Sequence, residues 1–184
     1  LHNVIEDGDR MSRLVGRLLE ASRLQADSSE GERLDFAELV QEKARGKGVR
    51  VMTDSSPMLV VGRRAALCSA LGNLLDNAKQ HARPQSEVSV MLRRVSAGYQ
   101  VEVHNIGTKI SSANLQSMWQ RFFTTRSDVG GTGLGLPIVR SVVESHGGRV
   151  HATNDELTDE WLTDEWLTDE WLTVVGFWLP SAQA

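Results

Sequence analysis

Residues 73–81 read NLLDNAKQH, and residues 130–139 read GGTGLGLPIV. In the first stretch Asn73, Asn77 and His81 recur every four residues, which sets them on one side of a helix while Leu71, Leu74, Leu75 and Ala78 turn toward a core. A core-facing helix has no packing use for two amides in line. In the second stretch Gly131, Gly133 and Gly135 leave three backbone N–H groups open to a phosphate, with no Cβ in the way. The loop feeds a helix whose N-terminal dipole favours anions, and Pro137 suits its first turn, where a missing N–H costs nothing. A glycine-rich loop alone is equally a plain strand-to-helix turn. Its order and spacing after the amide-bearing helix give it meaning.

Two segments lie between them. Residues 101–110, VEVHNIGTKI, alternate at Val101 and Val103 as a strand does and are expected to end in a turn carrying Gly107. Residues 118–126, MWQRFFTTR, bring two adjacent aromatics just before the glycine loop.

These four segments resemble, in order, the N-box, first glycine box, F-box and second glycine box of the ATP-binding domain shared by sensor histidine kinases, gyrase B and MutL. The resemblance spans residues 33–180, about four-fifths of the chain. It implies an α+β fold, a two-layer α/β sandwich (the Bergerat ATP-binding fold) with a mixed, mainly antiparallel sheet. It also implies ATP and Mg2+ as ligands. Asn77 would be the Mg2+ ligand and the catalytic residue, since a neutral amide oxygen suits a cation that keeps water and phosphate oxygens for the rest of its shell. Asn73 would be its neighbour, with Gln80 and His81 beside the nucleotide. For His81 a second reading stands, a partly buried or capping histidine at a helix end.

Asn105 would read the adenine amine from the first glycine box, here N-x-G-x-x-I with Gly107 and Ile110. An Asn carbonyl accepts that hydrogen bond as the usual Asp does, with a neutral acceptor. Phe123, next to Phe122, would belong to the F-box, although both could be ordinary core aromatics. Residues 124–130 would form a short lid, and Gly131, Thr132, Gly133, Leu134, Gly135 and Leu136 would hold the phosphates. Two departures from the pattern are plain. Gln80 stands where a basic residue is common, with Lys79 about 100° round the helix, and Lys109 replaces the second glycine of the first box. Phosphate charge then falls to Arg126 or Arg121.

The N-terminal segment carries Leu1, Val4, Ile5, Met11, Leu14, Val15, Leu18 and Leu19 at heptad-like spacing, with Arg10, Arg13, Arg17 and Glu20 outside the stripe. It resembles the second helix of the dimerisation and histidine-phosphotransfer domain. The expected organisation is residues 1–27 as that helix, 28–33 as linker and 34–184 as the ATP-binding domain. The phospho-acceptor helix is not in this sequence, for neither His2 nor His146 has the acceptor context. The chain therefore reads as a piece of a longer protein.

Asp35 and Glu38 make a capping-box variant, and Leu34 and Leu39 occupy the staple positions, so a helix should start after Asp35 and fade near Arg45 and Gly46. Residues 49–53 and 58–61 read as strands, 86–95 and 99–104 as a hairpin, and 146–148 as a helix stop. With 184 residues and 40% hydrophobic content a sizeable core is available. No run of eighteen apolar residues or signal-peptide pattern is present. Cys68, the one cysteine, reads as a small core residue.

Residues 157–171 are LTDEW three times over, followed by Leu172 and Thr173. Successive Trp residues fall about 140° apart on a helix and on alternate faces of a strand, so neither geometry gives one apolar face. Removing the copies joins HATNDE to LTVVGFWLP, so the tract at about 155–173 reads as a repeat insertion between two terminal strands. It holds eight acidic residues and no basic one between positions 155 and 170, so the formal net charge of -4 becomes +4 without them. A Trp-studded loop that binds a neighbouring chain is the other reading of the tract.

The functional expectation is the ATP-binding catalytic domain of a two-component sensor histidine kinase, passing the γ-phosphoryl group to a histidine outside this sequence. Expected partners are ATP, a second copy through the first helix, and a response-regulator receiver domain, but not nucleic acid. The expected location is cytoplasmic, within a protein anchored in the inner membrane. Two alternatives remain at this point, a catalytically weakened nucleotide-responsive interaction module and a serine-directed anti-sigma-factor kinase.

Overall fold

The computed structural model describes residues 8, 11–12, 14–19 and 22, then 30–53, 57–126, 131–156 and 170–182. Leu1, Val4 and Ile5 of the apolar stripe, lid residues 127–130 and repeat residues 157–169 lie outside these. The described residues before 23 are helical. Met11 is 66% exposed and Val15 54%, so this part of the stripe is not buried by the rest of the chain.

Eleven further elements follow: β1 (Glu32–Asp35), α1 (Phe36–Gly46), β2 (Arg50–Thr53), β3 (Leu59–Gly62), α2 (Arg64–His81), β4 (Val88–Val95), β5 (Gly98–Thr108), α3 (Ser112–Ser117), α4 (Gly135–Ser145), β6 (Arg149–Asp155) and β7 (Glu170–Pro180). Five strands form one sheet in the order β2-β4-β5-β7-β6. Only β2 and β4 run parallel, so the sheet is mixed and mainly antiparallel as expected. Strands β1 and β3 form a separate antiparallel pair. No helix among the described residues is long and apolar enough to cross a membrane.

Asp35 caps α1, accepting from the N–H of Ala37 at 3.0 Å. The same oxygen accepts from the N–H of Met58 at 3.0 Å, so one carboxylate both starts a helix and ties β1 to β3. Leu34 and Leu39, the staple positions, are buried. The hairpin turns on Ser96 and Ala97, and Val95 pairs with Gly98.

Alternation along the central strands builds the core. Tyr99, Val101 and Val103 of β5, with Val175, Phe177 and Leu179 of β7, are buried beneath α1, α2 and α4. Asn105 and Thr173 continue these inward-facing series and pair with each other across the sheet. The core thus ends in two buried polar side chains where the helical layer opens. The other face carries Glu102, which accepts from Arg93 at 2.9 Å and Gln100 at 2.7 Å and lies 3.0 Å from His151. Burial alone would raise this carboxyl, but His104 with its Nε2 3.7 Å away, the His151 hydrogen bond and the Arg93 charge outweigh it and hold it well below the usual carboxylate range.

His146, at the C-terminus of α4, has a structural task. Its Nε2 accepts from the N–H of Arg63 at 3.0 Å while Nδ1 donates to the carbonyl of Val142 at 2.7 Å, which joins the end of α4 to the start of α2 through the neutral ring. Burial lowers its pKa first; the Val142 bond opposes this and the Arg63 charge adds to it. A folded pKa below the unfolded one means the contribution is present above about pH 6.5 and is lost as pH falls through the folded value. His146→Ala is expected to cost about 1–2 kcal/mol. It should also flatten the decline of thermal stability between neutral and mildly acid pH, which scans across that range would read.

Candidate functional site

The helical face predicted to carry amides is α2. Asn73 is buried beside Leu71, Leu74, Leu75 and Ala78, whereas Asn77 is half-buried and lines a cavity of about 790 Å³. The Asn77 side-chain amide makes no hydrogen bond to any described residue, so its oxygen is available to a ligand. Asn73 is committed differently. It donates to the carbonyl of Ser69 at 2.9 Å and accepts from Arg17 of the first helix.

The cavity is closed on one side by the glycine loop. Gly133 has φ 63, and a Cβ there would lie 2.5 Å from the backbone carbon of Phe122. Its carbonyl accepts from the N–H of Phe122 at 2.9 Å. Glycine is required at this position for both the left-handed backbone and the close approach to the F-box segment. Gly131 donates to the carbonyl of Arg126 at 2.8 Å, which joins the described residues on either side of 127–130. Helix α4 begins at Gly135 with no side-chain cap, and Gly135 and Leu136 line the cavity. Uncapped N–H groups at a helix start favour an anion there.

Asn105 forms the deep end of the cavity, 2% exposed, with Thr173 beside it. Gly107 was expected in a turn, but β5 continues through it to Thr108, because β7 starts early and supplies Trp171 and Glu170 as partners. Gly107 is needed there for a different reason. A Cβ would meet the carbonyl oxygen of His81 at 2.6 Å, and next to it the N–H of Arg83 donates to the carbonyl of Ile106 at 2.8 Å. Glycine at this point lets the end of α2 rest on the strand. Asn154 of β6 fixes the chain beyond, donating to the carbonyl of Ile110 at 2.7 Å and accepting from its N–H at 3.0 Å.

Asn73, Asn77, Gln80, His81, Asn105, Ile110, Phe123, Arg126, Gly131, Thr132, Gly133, Gly135 and Leu136 all line this one cavity. Gly107 and Leu134 do not; they shape its wall from behind. Of the two arginines proposed for phosphate, Arg126 lines it and Arg121 does not. Arg121 is exposed in the turn after α3, and Arg126 donates to the carbonyl of Gln80 at 2.6 Å across the mouth. His81 is held below its ordinary pKa by partial burial and then by the Arg126 charge, which favours a neutral ring at the rim.

Among the lining residues that lay beyond sequence reasoning are Arg17, Asp76, Asn114 and Thr173. Thr173 was readable in principle, as the last polar residue of the inward series in β7. Asp76 was quoted within the first stretch without a role; it pairs with Lys47. Arg17 and Asn114 arrive from distant elements and left no local signal.

A helix carrying an uncommitted amide, a glycine loop passing into an uncapped helix and a buried amide at the end of a strand together define a nucleotide-binding class of site. The family model described as "Histidine kinase-, DNA gyrase B-, and HSP90-like ATPase" matches residues 62–182, and the chain belongs to this family of ATP-binding domains. The signal transduction histidine-protein kinase/phosphatase MprB of Mycolicibacterium vanbaalenii is 33% identical over 154 residues, which is 79% of this chain and 32% of MprB. The chain spans about a third of the length of the curated relatives it matches. Among solved structures, the catalytic domain of the histidine kinase ThkA is 25% identical with a TM-score of 0.66, covering 83% of this chain and 96% of that one. ThkA in complex with the response regulator protein TrrA shares the fold at a TM-score of 0.70 and 21% identity, over 97% of this chain and 49% of that one.

Proposed function

We propose that this chain is the ATP-binding catalytic portion of a sensor histidine kinase, which positions Mg-ATP for phosphoryl transfer to a histidine outside this sequence. The observation that carries the proposal is the convergence of Asn77, Asn105 and the uncapped start of α4 on one cavity. Adenine at Asn105 would leave the triphosphate toward the glycine loop and Arg126. The donor set fits a metal of the Mg2+ kind. No group of three His, Cys, Asp or Glu side chains among the described residues could hold a metal alone. The free Asn77 oxygen is a single ligand of the sort Mg2+ takes when phosphate and water supply the others. Bound there, Mg2+ would offset charge on the β- and γ-phosphates.

In the transfer an imidazole nitrogen of the acceptor attacks the γ-phosphorus, the bond to the β–γ bridging oxygen breaks, and ADP leaves. This chain contributes position and charge stabilisation rather than proton transfer. The phosphohistidine would then serve a response-regulator carboxylate, a partner of the kind ThkA has in TrrA. The reading places this portion in the cytoplasm, joined to a membrane-anchored sensor outside this sequence, and assigns residues 1–27 to the second helix of the dimerisation domain, 28–33 to a linker and 34–184 to the ATP-binding domain.

Calorimetric titration with ATP, with and without Mg2+, tests the site. Binding that strengthens with Mg2+ is expected; a folded sample that takes up no ATP overturns the reading. A second reading, a nucleotide-responsive dimerisation module without transfer, draws on the exposed Met11, Val15, Leu18 and Leu19 stripe. Phosphate appearing on an added histidine-bearing helical domain would decide for the kinase.

A further inference from the structure

We infer that Lys109, held on the ring of Trp171, is a nucleotide-binding residue that supplies positive charge for the phosphates. The inference rests on the ATP-binding reading of the cavity. Lys109 replaces a glycine of the family pattern, one of the departures behind the alternative of a weakened module. The structure gives it the opposite task. Its Nζ lies 3.4 Å from the centroid of the Trp171 ring. The strand register explains why: Trp171 pairs with Gly107, and Lys109, two residues further along, leaves the strand and lies over the indole. Lys109 lines the same cavity as Gly131 and Gly133.

A ring face attracts an ammonium through its quadrupole and leaves the positive charge unneutralised. Among the described residues, the arginines and lysines lining the cavity are Arg17, Lys109 and Arg126. Arg17 donates to the Asn73 oxygen and Arg126 to the carbonyl of Gln80. The lining carboxylate, Asp76, is already paired with Lys47. Lys109 forms no ion pair with a described residue. With neutral Gln80 at the position where a basic residue is common, Lys109 on Trp171 makes good the missing charge.

Trp171 is the last residue of the third LTDEW copy. A chain without the copies would join Glu156 directly to Leu172 and bring no indole to this position. The tract therefore supplies the ring on which Lys109 rests.

The test is calorimetry on the full 184-residue chain with ATP, ADP and adenosine as probes. Lys109→Met should weaken ATP about fivefold, ADP less, and adenosine not at all. The difference should vanish near 1 M salt, where screening is short-ranged. Lys109→Arg, which keeps both charge and stacking, should bind as the parent does. Trp171→Glu should reproduce the Lys109→Met loss for ATP. Equal losses for adenosine and ATP, or unchanged ATP affinity in Lys109→Met, overturn the inference. Lys109 is exposed, so its substitutions keep the test decisive even if Trp171→Glu does not fold. A folded parent chain that binds no nucleotide is a distinct result, which removes the ATP reading and this inference with it.

Discussion

Asn77→Ala is expected to abolish the gain in ATP affinity that Mg2+ brings, a loss of roughly 10- to 100-fold, while metal-free binding stays as it was. The side chain faces the cavity and supports nothing in the fold, having no hydrogen bond to a described residue. Alanine is also a better helix former than asparagine, so α2 should gain a few tenths of a kcal/mol. Stability and ligand affinity should therefore move in opposite directions, which a lost structural contact could not produce. Asn77→Asp separates metal binding from charge: its carboxylate should still accept Mg2+ yet weaken metal-free ATP by repulsion. Calorimetry with and without Mg2+, paired with thermal unfolding, reads both. An Asn77→Ala protein that keeps the full Mg2+ gain would sink the metal assignment.

The second large effect is on stability. Phe177→Ala should cost about 3–5 kcal/mol, roughly a fifth or more of the stability of a typical domain. Phe177 is 0% exposed in β7, between β5 and β6, where Val101 and Val150 are its partners. Its ring lies 5.9 Å from that of Phe36, which opens α1, so one side chain joins the sheet to the helical layer. The cavity left behind cannot collapse, because β7 is held on both edges. Urea unfolding should show a lower midpoint at an unchanged slope, with Phe177→Leu retaining much of the loss-free stability. A cost below 1 kcal/mol would mean that the layers are held elsewhere.

Much of the site was legible because its chemistry breaks local patterns. Asn73 and Asn77 stand out on an otherwise apolar helix face, and a loop with three alternating glycines has few structural uses. Asp35 was legible as a cap for the same reason: helix starts obey short-range rules. What stayed hidden depends on long-range pairing. The β1–β3 sheet joins residues about thirty apart with no turn to announce it, and the extension of β5 through Gly107 follows from where β7 begins. His146 looked like a plain helix stop because its partner, the N–H of Arg63, is eighty-three positions away. Asn73 was grouped with Asn77 by spacing and by the family resemblance, yet Ser69 and Arg17 occupy its amide. Helical periodicity states which side a residue is on, but not how deep it lies or what reaches it from another element.

The pairing of Trp171 with Gly107 has a consequence for how this chain can vary. Each LTDEW unit ends in tryptophan and is followed by leucine and threonine, whether these open the next unit or are Leu172 and Thr173. Gain or loss of a whole unit keeps the reading frame and, so long as one unit remains, delivers the same tryptophan to the head of β7. Slippage between neighbouring copies, the commonest accident of a tandem repeat, is thereby made invisible to the site. Lys109 registers the tract as a single bit, present or absent, and is blind to its length.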